Sequence, residues 1–74
     1  MKTEKQTLIE LRNAVLARLV GFKADCLYWE KIVKKSKADS QDRVTAKENF
    51  LNQKESVKND TLYLECIDEL LKEE

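Results

Sequence analysis

The stretch LIELRNAVLARLVGFKADCLYWEKIV, running from Leu8 to Val33, carries apolar side chains at Leu8, Leu11, Val15, Leu19, Phe22, Cys26, Trp29 and Val33. The steps between them are 3, 4, 4, 3, 4, 3 and 4 residues, the period of one face of an α-helix held for about seven turns. A strand would alternate every second residue, and this stretch does not. Gly21 is the chain's one glycine. It costs about 1 kcal/mol against alanine inside a helix, yet the apolar phase runs through it unbroken. The spacing predicts a single helix from about residue 4 to residue 36. Thr3 with Gln6, or Thr7 with Glu10, offers a capping box at its start.

A second row, Ile9, Leu16, Val20 and Leu27, lies about 100° around the same helix. The apolar surface is therefore wider than the seam of a two-stranded coiled coil requires. One neighbouring helix cannot cover it.

Downstream, KKSKADS from Lys34 to Ser40 is polar and cationic, and it ends in Asp39 and Ser40, either of which can cap a following helix. The turn belongs there. Beyond it Ala46, Phe50, Gln53, Val57, Thr61, Leu64, Ile67 or Asp68, and Leu71 recur at helical spacing. A second helix is expected from about 40 to 72, with Thr45 and Glu48 as another capping pair. Its middle is weak: between Asn52 and Asp60 the only aliphatic residue is Val57. Asn59 and Asp60 favour caps and turns, so a break near Asn59 is the alternative.

Residues 1 to 37 hold nine Lys or Arg against four Asp or Glu, and residues 38 to 74 hold five against ten. The halves carry +5 and −5 and cancel in the whole chain. Opposite halves favour folding back as an antiparallel hairpin. Their attraction acts through steering and register more than raw stability, because an exposed ion pair contributes only about 0 to 1 kcal/mol. A symmetric hairpin sets residue i beside roughly 75−i, which brings Lys2 and Lys5 near Glu69 and Glu73, and Arg12 near Leu62 and Glu65. It also separates Cys26, near Asn49, from Cys66, near Ile9.

The fold class expected is therefore all-α. One domain spans residues 1 to 74 as a hairpin of two long helices, dimerising into a four-helix bundle because the apolar faces exceed what one hairpin covers. Leu8, Leu11, Val15, Leu19, Phe22, Trp29, Val33, Phe50, Val57, Leu64 and Leu71 are the expected core and oligomer contacts.

Composition narrows the function. The chain has no histidine and two cysteines with no C-x-x-C spacing, so neither a metal site nor a disulfide framework is expected. Free thiols fit a cytoplasmic setting. No run approaches the ~18 uncharged apolar residues of a membrane span. No glycine-rich phosphate loop and no nucleophile with an adjacent base is visible, so neither catalysis nor a cofactor is expected. Glu65, Asp68, Glu69, Glu73 and Glu74 crowd the end of the second helix and read as a solvated acidic terminus.

The remaining role is protein–protein interaction, as a small adaptor, chaperone-like subunit or inhibitor working through a helix face or the hairpin tip. Candidate contacts are Tyr28 and Trp29, the chain's aromatic concentration, with Lys31, Lys34, Lys35, Lys37 and Arg43 around the turn. The alternative is a small nucleic-acid-binding regulator using the same cations and Lys23 on phosphates. Zero net charge and a pI of 6.3 argue against it.

Overall fold

The computed structural model describes residues 1 to 73; Glu74, grouped above with the acidic terminus, lies outside the described residues. The chain forms two antiparallel α-helices, α1 (Glu4–Lys35) and α2 (Gln41–Glu73), packed along their whole length. The hairpin measures 54 × 17 × 13 Å.

Thr3 caps α1. Its hydroxyl accepts from the Gln6 amide at 3.1 Å while the Gln6 side chain accepts from the Thr3 amide at 3.0 Å, so two of the amides that a helix start leaves unpaired are satisfied. Glu4 in the first turn and Lys34 and Lys35 in the last match the helix dipole. Gly21 leaves α1 unbroken, as the sequence period implies. The helix stops at Ser36, whose amide and hydroxyl both donate to the Ile32 carbonyl.

Asp39 then takes a left-handed backbone with φ 65°, a conformation short polar side chains tolerate better than most, and the chain reverses. Ser40 opens α2 by accepting from the Arg43 amide at 3.1 Å. Thr45 lies one turn inside α2, so the capping pair of Thr45 and Glu48 is not used. Nor does the helix break near Asn59; α2 is continuous from Gln41 to Glu73.

The side chains turned toward the other helix follow a strict alternation of four and three residues. On α1 they are Leu8, Arg12, Val15, Leu19, Phe22, Cys26, Trp29 and Val33; on α2 Ala46, Phe50, Gln53, Val57, Asp60, Leu64, Ile67 and Leu71. All sixteen are buried or half-buried, and the alternation is that of a coiled-coil seam.

Two positions differ from the sequence reading. Leu11, expected in the core, is 36% exposed, and Arg12 takes its place. Thr61 is exposed, and Asp60 occupies the seam with 7% exposure. Hydrophobicity chose the wrong neighbour in both cases because the seam admits a charged group when another helix supplies its counter-charge.

Those counter-charges fix the register. Arg12 donates to Asp68 at 2.7 Å and Arg18 donates to both carboxylate oxygens of Asp60 at 2.9 Å. Residue i of α1 thus lies level with about 79−i of α2, roughly one helical turn from the symmetric hairpin. Lys2 pairs with Glu10 rather than with the acids at the end of α2. Cys26 comes level with Gln53 and Cys66 with Asn13, and both thiols are free.

The core is thin. Among the described residues Leu8, Val15 and Ile67 form the buried cluster, backed by half-buried Leu64 and Leu71, all toward the open end of the hairpin. Toward the turn, Phe22, Trp29, Val33, Phe50 and Val57 are half-buried, and of the apolar seam residues there only Ala46 is fully covered.

Candidate protein-interaction surface

Three surfaces stand out on this rod. The first is the hairpin tip. Toward its end α1 presents Tyr28, 56% exposed, in a T-shaped pair with Trp29 at a centroid distance of 5.0 Å. Trp29 is half-buried in the seam, so it anchors the pair while Tyr28 reaches solvent. Lys31 and Lys35 follow Tyr28 on α1, and Lys37 and Arg43 lie at the turn; all four are exposed. Lys34, also exposed, is held by Glu30 at 3.1 Å. Open depressions flank the turn, one against Arg43, Val44 and Lys47 and the other against Ile32, Lys35 and Lys37. The structure thus brings the candidate binding residues to one end of the molecule. An exposed aromatic with cations at its rim is the composition of a protein contact, in which aromatics and arginine supply most of the energy.

The second surface is the flank of α1 carrying Ile9, Leu16, Val20 and Leu27. Leu16 is half-buried, whereas Ile9 is 42%, Val20 66% and Leu27 54% exposed. Leu51 of α2, which the register sets level with Tyr28, lies on this flank and is 53% exposed.

The third is the opposite flank, where Arg18 and Asp60 meet. The Asp60 side chain retains 10% of its accessible area and that of Arg18 retains 53%, so the carboxylate is enclosed and the guanidinium closes over it from outside. The two parallel hydrogen bonds to Asp60, and then its charge, raise the Arg18 pKa above its ordinary value. A raised basic group contributes its stability in full below its unfolded pKa, and that contribution is lost only as pH rises through the folded value. For arginine that window lies beyond ordinary working conditions. In the seam, Gln53 Oε1 is buried without a hydrogen-bond partner, which marks the turn half of the hairpin as imperfectly satisfied.

Total exposed area puts these features on one scale. A compact monomer of 8.7 kDa exposes about 4,700 Å², whereas this chain exposes 5823 Å², an excess of roughly 1,100 Å². A standard protein interface covers about 800 Å² on each partner.

Among the described residues no group of His, Cys, Asp or Glu is arranged to hold a metal ion, and no helix is long and apolar enough to cross a membrane. No protein-family model, curated protein or solved structure matches the chain. The tip was legible from sequence through its aromatics and lysines. The pair of Arg18 and Asp60 was not, since its members lie 42 residues apart.

Proposed function

We propose that this protein is a non-catalytic interaction module, a helical hairpin that presents a helix face and its tip to other proteins. The observation that carries this reading is the large exposed surface of two otherwise well-formed helices, on which more large apolar side chains are exposed than buried. Five apolar side chains are buried, while ten large ones on the two helices stay exposed. Apolar surface released from water is worth about 25 cal/mol per Å², so a rod with this much of it gains by contact. The aromatic pair near the tip, with the exposed cations of the turn beyond it, suits an acidic or mixed protein surface.

Affinity capture with the full chain tests the reading. The wild type should retain a protein from the source cell in 200 mM salt, and Tyr28→Ala together with Lys35→Glu should release it. Retention of nucleic acid instead, falling steeply between 50 and 200 mM salt, would overturn the reading in favour of phosphate binding through the lysines.

A further inference from the structure

We infer that the flank of Ile9, Leu16, Val20 and Leu27 is covered by the same flank of a second copy of this chain, in a two-fold dimer whose hairpin tips point to opposite ends. The inference rests on the reading of the chain as an interaction module and names the occupant of one of its surfaces.

Ile9 and Leu27 are equidistant from position 18, and so are Leu16 and Val20. When α1 meets a second α1 antiparallel about that point, Ile9 packs on the partner's Leu27 and Leu16 on the partner's Val20. An interface between identical copies must be self-complementary in this way: if i touches j, then j touches i. Ala17 and Ala24, on the neighbouring outer row, leave room for close approach of the two helices.

Helix α2 adds an electrostatic match. Antiparallel helices are related by a local two-fold that runs through the flank, so residues following a seam position by one lie on the same flank in both. That places Lys54, Thr61 and Asp68 of α2 beside the α1 row, with Lys58 and Glu65 one step further out. The register of about 79−i sets position 18 of α1 level with Thr61. Lys54 and Asp68 are equidistant from Thr61, and Lys58 and Glu65 are equidistant from it to within one residue. The axis that mates the aliphatic side chains of α1 therefore also mates Lys58 with Glu65 along α2, and it sets Lys54 near Asp68, which Arg12 of its own chain already holds. Lys2 and Lys34 fall near one another at the ends of the interface, and each already holds an acid of its own chain, Glu10 and Glu30.

The competing two-fold, with both tips at one end, sets α1 against the partner's α2. It would lay Val20 over Lys58 and Leu16 between Thr61 and Glu65, so these aliphatic side chains would be covered by polar and charged groups, and only Leu27 would meet an apolar side chain, Leu51. The first arrangement covers more of the aliphatic row of α1 and pairs Lys58 with Glu65. A flank of 54 by 17 Å offers about 900 Å², close to the ~800 Å² per partner of a stable interface and to the excess surface of the isolated chain.

Sedimentation equilibrium of the full chain, with helicity followed by circular dichroism, tests the inference. The wild type should be dimeric at micromolar concentration. Val20→Asp, at a site open to solvent in the hairpin, should keep its helicity and weaken association at least a hundredfold. Lys58→Glu and Glu65→Lys should each weaken it roughly tenfold, and the two together in one chain should restore it. In a background of Cys26→Ala and Cys66→Ala, Thr61→Cys sits on the axis and should form an interchain disulfide under oxidised glutathione. A monomeric wild type, swapped charges that fail to rescue, or Thr61→Cys chains that do not cross-link while still dimeric would each overturn the inference. Protein capture through the tip would still decide the broader reading on its own.

Discussion

Replacing Gly21 with alanine should stabilise the protein by about 1 kcal/mol, the difference in helix propensity between the two residues. The full difference applies because nothing opposes it. Gly21 lies mid-way along α1, is exposed, and does not have a positive φ. A β-carbon built at this position meets no heavy atom within 4 Å, so no packing penalty has to be subtracted. The position also lies off the centre of the proposed dimer flank, which keeps the effect independent of association. For a domain of this size 1 kcal/mol corresponds to a rise of about 4–8 °C in melting temperature. Thermal and urea unfolding followed at 222 nm, at one fixed protein concentration, measure it. An unchanged or lowered midpoint would mean one of two things: either α1 is not continuous through Gly21, or that side of the helix is covered.

Ile67→Ala, at a side chain only 2% exposed, should cost about 2–5 kcal/mol, whereas Leu62→Ala, at 52% exposure, should stay within about 0.5 kcal/mol; similar losses in urea unfolding would mean the seam is misplaced. Thr3→Ala should remove about 1 kcal/mol by deleting the capping box, with amide exchange rising first in the opening turn of α1; uniform exchange along the helix would contradict a local cap. Asp60→Asn and Arg18→Gln should each lower the urea midpoint, and the double variant should lose less than the two changes added together. Strict additivity in that cycle would show that the pair is not coupled.

The period-3.6 signal of the first helix, the polar break before Ser40 and the capping pair of Thr3 and Gln6 are local patterns. Each can be read from a dozen residues, and each took the form its sequence implied. The register could not be read that way. The turn is centred beyond the chain's midpoint, and the meshing of two seams adds the remainder, so the observed pairing sits about one turn from the symmetric one. Arg12 and Asp60 escaped for a related reason. A charged residue scores as surface until its partner is known, and the partners lie on the other helix. Weak propensity around Asn59 suggested a break that tertiary contact overrides, since a helix packed along its length does not need strong local preference at every step. At the tip, the helical period already put Trp29 in the core stripe, and the fold holds it half-buried in the seam with Tyr28 exposed beside it.

The fork between Arg18 and Asp60 also forbids the two helices from slipping past one another. A coiled-coil seam of mostly aliphatic residues is nearly indifferent to displacement by one heptad, and a single polar contact is what commonly removes that degeneracy. Displaced one heptad toward the tip of α1, Asp60 would meet Asp25, a like charge. That misalignment strands a carboxylate that the native pairing encloses, so a thin interior of small energetic reserve still resists slipping of its two arms.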